Sequence, residues 1–253
     1  MNNNCLVFTD LDDTLFSTMR KQPEYKVEDC FVGTVKANGE PSGYLNPHQK
    51  AFFDSISSIG EIVPVTARVT EQLDRAVIIK GFKHAAWYQG ALIKINNEID
   101  KTWQDISFFI LDSAQKDFEN LYKSLYENSN FTDLHIILDR FDDLNNMAYQ
   151  FYIERKEKNR KLISMDLLGK YIEDNLDLNK YYIHNQFDYI SILPKEVNKA
   201  KAVKYIKEKL NPVLSIGCGD SDVDVAFMRE CDYAIFPKKS LAFNEMYNTT
   251  YCK

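Results

Sequence analysis

No run of lysine and arginine of the kind that tracks a phosphate backbone occurs in the 253 residues, and the formal charge is −6 with a pI near 5.3. The nearest thing to a basic run is Lys156, Lys158, Arg160 and Lys161, diluted by Glu154 and Glu157. That cluster reads as a solvated surface. Nucleic acid is therefore excluded as a partner, although a small phosphorylated molecule is not. Cysteine offers no framework either. Residues 5, 30, 218, 231 and 252 make an odd set with no Cys-x-x-Cys and no histidine at ligand spacing. Reduced thiols are expected, not disulfides or a zinc site. No apolar stretch approaches membrane-spanning length, the first nine residues are too polar for a signal peptide, and Tyr-Cys-Lys at the end is not a prenylation box. The expectation is a cytoplasmic protein that does not act at a membrane. No repeat or low-complexity segment occurs. With 45% hydrophobic and 27% charged residues, the chain can bury an ordinary globular core.

What is present alternates. Cys5 to Phe8 is a short apolar run that stops at Asp10, as a strand covered on both faces does. Further strands are expected at Ile62 to Val65, where Pro64 sits awkwardly, at Val213 to Ile216 and at Tyr233 to Phe236. Helices are expected at Pro47 to Ile59, Thr70 to Lys80, and around Val203, Ile206 and Leu210. This alternation predicts a doubly wound α/β core with a Rossmann-like parallel sheet. Between 103 and 194 the pattern changes. A helix over Asp105 to Glu127 leads to strands at Leu134 to Leu138 and Ala148 to Ile153. A helix over Arg160 to Asn175 then leads to strands at Tyr181 to Ile183 and Tyr189 to Leu193. That order predicts an inserted α+β domain, with 1–102 and 195–253 forming the discontinuous core. Phe31 to Val35 and Gly43 to Leu45 flank Asn38-Gly39, a turn signal, so 30–46 reads as a hairpin.

Ligands of open α/β sheets bind beyond the carboxyl ends of the strands. The first expected strand delivers Asp10, Asp12 and Thr14 there, the second Thr66 with Arg68 two residues on, and the third Asp220, Ser221, Asp222 and Asp224. Each piece alone has an ordinary explanation as a turn or a helix cap. Three in succession, each closing a buried-type strand, form a specific pattern. If the loops meet, clustered carboxylates need a counter-charge, and a hard divalent cation such as magnesium supplies it. An aspartate can then accept a phosphoryl group, and a second can protonate the leaving oxygen.

Asp10-Leu11-Asp12-Asp13-Thr14-Leu15 resembles the first motif of the haloacid dehalogenase superfamily. Val65-Thr66-Ala67-Arg68 is similar to its second motif, and Gly219-Asp220-Ser221-Asp222-Val223-Asp224 to its fourth. The lysine of the third motif falls in Leu193-Pro194-Lys195-Glu196-Val197-Asn198-Lys199-Ala200-Lys201, with Lys199 the better fit by register and Lys201 the runner-up. The resemblance covers the whole chain in order. It implies that Asp10 is the nucleophile and Asp12 the general acid/base, and that Thr66 and Lys199 hold phosphate. It also implies that Asp10, the backbone carbonyl of Asp12, and Asp220 hold magnesium, with Asp224 supporting the ion directly or indirectly.

A cap at 103–194 resembles the branch that includes Cof-like and sucrose-phosphate-phosphatase-like enzymes, and Trp87 to Ile93 is similar to that branch's Asn-Gly-Ala hairpin. Gln89 replaces the usual Asn, Ala67 the usual Gly of the second motif, and Val223 the usual Asn of the fourth. The resemblance implies a magnesium-dependent phosphatase acting on a small phosphorylated metabolite, sugar phosphates prominent among them, through an aspartyl-phosphate intermediate. A phosphotransferase or mutase with the same core is the alternative. A receiver-like signalling module fits the length and the insert poorly. Arg140, Arg155, His184 and Tyr189 are weaker candidates for leaving-group contacts. Oligomeric state is not legible.

Overall fold

The computed structural model describes residues 4–141, 146–156, 165–185, 189–238 and 240–244. It divides into two compact units, Met1–Gln104 with Lys199–Lys253, and Asp105–Asn198.

The first unit is built on β1 (Cys5–Thr9), whose five residues are all buried. It lies between β4 (Glu61–Pro64) and β12 (Leu214–Cys218), with β13 (Tyr233–Ile235) beyond, giving the all-parallel order β13-β12-β1-β4. Alternation along β1 sends its side chains to two cores. Cys5 and Val7 join Ile56, Phe52 and Phe53 of α1 (Pro47–Ile59), while Leu6 and Phe8 join α5 (Lys199–Leu210) and α6 (Asp222–Met228) through Ala202, Val203, Ile206, Phe227 and Met228. Each fully buried valine, leucine, isoleucine, phenylalanine or methionine among them contributes about 1.5–3 kcal/mol. A strand clad on both faces in this way has no polar alternate, which is why its sequence is an unbroken apolar run. Pro64 is accommodated because β4 borders the sheet. Val65 N donates to Thr9 O at 2.8 Å, so the proline nitrogen one residue earlier faces away from β1.

Asn46 starts α1 with a reciprocal cap. Its side chain accepts from the backbone of His48 and Gln49, Gln49 answers to Asn46 N, and Pro47 occupies the first turn. The expected hairpin forms from β2 (Phe31–Val35) and β3 (Pro41–Leu45), with Gly39 at φ +84° supplying the left-handed turn residue. It is anchored on both sides, by paired backbone bonds between Ser17 and Tyr44 and by a bridge from Thr34 to Ala76.

That bridge corrects the expected helix at Thr70 to Lys80. The α-helix α2 covers only Thr70–Asp74, followed by a 3-10 turn at Val77–Ile79. Val35 N and Thr34 Oγ1 both donate to Arg75 O, at 3.1 Å each, and Ala76 takes an extended conformation to pair with the hairpin. A tertiary claim on one carbonyl has overridden the apolar periodicity. The hairpin suggested at Trp87 to Ile93 forms from β5 (Ala85–Trp87) and β6 (Leu92–Ile95), and a further short strand that sequence reading did not expect, β7 (Glu98–Ile99), pairs with β6.

The second unit takes up the helix α3 (Lys101–Glu127) from residue 105 and contains α4 (Met165–Asn175). Strands β8 (Leu134–Arg140), β9 (Ala148–Arg155), β10 (Tyr181–Asn185) and β11 (Tyr189–Pro194) form an antiparallel sheet in the order β10-β11-β9-β8. Phe118, Leu121 and Leu125 of α3 and Leu168 and Ile172 of α4 bury one sheet face against Phe151, Ile153, Ile190 and Ile192. The expected start of the second helix at 160–164, part of the basic cluster, and Cys252 lie outside the described residues. The four described cysteines are free. Among the described residues no helix is long and apolar enough to cross a membrane.

Candidate active site

Three chain segments meet at the carboxyl ends of β1, β4 and β12. Asp10 follows β1 directly and is held by its backbone N–H donating to Cys218 O at 2.8 Å. Asp10 is only 6% exposed. Lys199, the first residue of α5, donates to Asp10 Oδ1 at 2.7 Å and to Asp224 Oδ1 at 2.8 Å. The helix explains why this lysine points inward. Lys199, Ala202, Val203 and Ile206 are its buried residues, spaced three, four and seven apart, so Lys199 sits in phase with the apolar face. Lys201 is out of phase and partly exposed, and it forms neither of these bonds.

The loop after β12 brings Asp220 and Asp224. Asp224 turns back on the start of α6, its Oδ2 accepting from Ser221 N at 3.1 Å and Ser221 Oγ at 2.6 Å. A side chain at Gly219 would collide with the Asp224 side chain, so only glycine allows this approach. Asp220 Oδ1 accepts from Thr14 Oγ1 at 3.1 Å. One carboxylate oxygen from each of Asp10, Asp220 and Asp224 lies within 4.8 Å of the other two.

Three carboxylates against one buried ammonium leave the cluster short of positive charge. Burial pushes Asp10 well above the ordinary carboxylate range, reinforced by Asp224 and Asp220 and opposed by Lys199. Asp220 is pushed up to about 7 by burial, then by Asp224 and Asp13. Burial alone would lower the Lys199 ammonium, but Asp10 and Asp224 more than reverse this and hold it charged.

The donor set fits a hard divalent cation. It is all oxygen, it is short of positive charge, and among the described residues Asp10 Oδ2 and Asp220 Oδ2 carry no hydrogen bond. Both Asp224 oxygens accept hydrogen bonds, one from Lys199 and one from the Ser221 loop.

Thr66 follows β4 and is buried. Its Oγ1 accepts from Arg68 N at 3.1 Å, leaving its hydroxyl proton to donate elsewhere. The loop is braced from behind by Tyr88, Gln89 and Gly90, all at positive φ (51°, 57° and 93°), with Tyr88 N donating to Arg68 O and Gln89 N to Thr66 O. Two non-glycine residues in that region carry a backbone cost that surrounding structure must hold in place. Of this brace, only Gly90 was an obvious signal.

Asp12 is placed differently from Asp10. Its side chain is 54% exposed and is gripped by Arg68, Nε to Oδ2 at 2.7 Å and Nη2 to Oδ1 at 2.8 Å. Arg68 is itself fixed, with Nη1 donating to Thr34 Oγ1 and Gln72 O and its guanidinium 4.9 Å from the Phe16 ring centre. Sequence reading noted Arg68 but missed this fork, which joins residues 56 apart. Asp13, at φ 65°, pairs with Lys21 outside the carboxylate cluster. The weaker candidates all lie in the second unit. Arg140 closes β8 and donates to Asn146 O, Arg155 closes β9, and the hydroxyl of Tyr189 at the start of β11 lies 3.3 Å from Nε2 of the buried His184.

Residues 67–236 match the sequence profile of the haloacid dehalogenase-like hydrolases, a span that takes in Arg68, Lys199, Asp220 and Asp224. No curated protein matches the chain. Among solved structures, the fold is similar to the sucrose-phosphatase of Synechocystis sp., solved with sucrose and phosphate (TM-score 0.59, 11% identity, covering 100% of this chain and 90% of that one). It is also similar to the C-terminal domain of C. albicans trehalose-6-phosphate phosphatase (0.53, 17%, 90% and 74%) and to a protein of Thermoplasma acidophilum (0.52, 14%, 97% and 97%).

Proposed function

This chain belongs to the haloacid dehalogenase-like hydrolases, and on that premise we propose that it is a magnesium-dependent phosphatase of small phosphorylated metabolites. The observation that carries the reading is the asymmetry of Asp10: Lys199 holds Oδ1, Oδ2 carries no hydrogen bond among the described residues, and the carboxylate shares one cluster with Asp220. An oxygen of the Asp10 carboxylate attacks phosphorus as the bond to the leaving oxygen breaks, and Asp12 gives that oxygen a proton. Asp12 then takes a proton from water, which attacks phosphorus and releases Asp10 and inorganic phosphate. Lys199 uses two of its three donors on Asp10 and Asp224, so the third remains for a phosphoryl oxygen. The Thr66 hydroxyl supplies a second donor. Magnesium, held by Asp10, Asp220 and the Asp12 carbonyl, would neutralise phosphoryl charge so that one anion can approach another.

Sugar phosphates are the favoured substrate class, supported by the fold shared with sucrose-phosphatase and trehalose-6-phosphate phosphatase. The second unit, 105–198, is proposed as the cap, and the site as cytoplasmic. Phosphate release from a panel of sugar phosphates, with and without magnesium, tests the reading. Release that needs magnesium and disappears in Asp10→Asn is expected, and release that persists in Asp10→Asn overturns it.

A further inference from the structure

Asp12 opens onto a cavity of about 480 Å³ between the β2–β3 hairpin and the segment 68–75, lined by Thr34, Lys36, Arg68, Gln72 and Arg75 as well as by Asp12 itself. Three cations face one carboxylate, in a chain whose overall charge is negative. The proposed acid must lie within hydrogen-bond reach of the leaving oxygen, so the remainder of the leaving group extends into space that Asp12 borders. In the structure both Asp12 oxygens are occupied by Arg68. To serve a leaving group, Asp12 must give up at least one of these bonds. Arg68 cannot follow it, being held by Thr34, Gln72 and Phe16 and only 14% exposed, whereas Asp12 is 54% exposed. When Asp12 turns away, the Nε/Nη2 edge of a fixed guanidinium is left facing the cavity, and that edge matches a carboxylate or phosphate.

Resting on the phosphatase reading, we infer that the preferred substrates are phosphomonoesters whose alcohol carries a second anionic group, which takes the Arg68 edge vacated by Asp12. Lys36 and Arg75 add positive charge around it. Their present partners, Glu40 at 3.0 Å and Glu71 at 3.7 Å, are exposed surface acids that an incoming anion displaces readily. The segment 68–75 and the hairpin facing it thus determine specificity, and the second anion has two effects: it binds, and it releases Asp12 for proton transfer.

The test compares kcat and KM for matched esters, 6-phosphogluconate against glucose 6-phosphate and fructose 1,6-bisphosphate against fructose 6-phosphate. The partner carrying the second anionic group is expected to be favoured in kcat/KM by about 10- to 100-fold, the range of a charge-assisted bidentate contact, with part of the gain in kcat. Arg75→Ala and Lys36→Ala should pull that ratio towards one, and Arg75→Lys should restore most of it. Arg75 serves the fold through its backbone carbonyl, which these changes keep. Equal use of both partners, or variants that slow both alike, would overturn the inference while leaving the phosphatase standing. If no ester releases phosphate, the phosphatase reading fails separately. Calorimetric titration of Asp10→Asn then decides the subsite, where tighter binding of 6-phosphogluconate that Arg75→Ala removes supports it and equal binding refutes it.

Discussion

The two units differ in whether they bury ionised side chains. The interior of the second unit, around Phe118, Phe151 and Ile190, is an apolar layer between helices and sheet. The first unit has such layers too, but at the ends of its strands it also buries Asp10, Asp224 and Lys199, at 6%, 1% and 6% exposure. Buried charge is seldom the cheapest way to hold a fold, because desolvation offsets most of the attraction between partners. Its presence at one end of one sheet, and the apolar character of the other core, separates the part of the chain that holds shape from the part built to react.

That contrast breaks most sharply in paired variants. Phe118→Ala in the second unit should cost about 3–5 kcal/mol of stability, the usual range for a buried phenylalanine. Asp10→Asn should leave the melting temperature equal to or above that of the original chain while abolishing turnover, since it removes one of three crowded carboxylates. Thermal melts of both variants check this, and a large loss of stability in Asp10→Asn would show that the cluster holds the fold after all.

Lys199→Met comes next and cuts across the comparison. It strands Asp10 and Asp224 without their shared cation, a loss of about 3–5 kcal/mol for a broken buried pair, whereas Lys201→Met should lie within about 0.5 kcal/mol of the original. Denaturant titration of the two variants measures the difference. The distinction was legible in advance only as a register preference. Physically it is the phase of α5, which turns residue 199 towards the core with Ala202, Val203 and Ile206.

Local, periodic features were generally readable. The unbroken run of β1, the Asn38-Gly39 turn and the apolar face of α3 each follow from nearest neighbours in sequence. The Arg68–Asp12 fork, the brace at Tyr88 and Gln89, and the break after α2 were not readable, because each depends on contacts between distant segments. Arg75 O, claimed by Thr34 and Val35, is the plainest case.

Magnesium sharpens the comparison through pH. Asp220 is raised to about 7 in the folded chain. A carboxyl whose folded pKa exceeds its unfolded value favours the fold while protonated, and that contribution is lost as pH rises towards 7. The cation competes with the same proton. It should therefore raise the melting temperature more at pH 8 than at pH 6, and at a hundredfold excess over its dissociation constant it should stabilise the fold by about 2.7 kcal/mol. Chelation should abolish the gain, and Asp220→Asn should flatten the pH dependence. Calorimetric scans at both pH values check this.

The smallest effect belongs to the hairpin. Gly39→Ala at φ +84° meets no atom within 4 Å, so its cost is backbone strain alone, about 1–2 kcal/mol. A melt of this variant checks that figure, and the second unit's core should be untouched by it.

The central claim is that Asp10 carries the phosphoryl group. Acid quench of the protein during turnover of a hydrolysed ester, followed by peptide mass spectrometry, tests it directly. A phosphoryl group on the peptide containing Asp10, dependent on magnesium and absent from Asp10→Asn, is the expected result. A phosphoryl group on another residue, or undiminished phosphate release by Asp10→Asn, would contradict it.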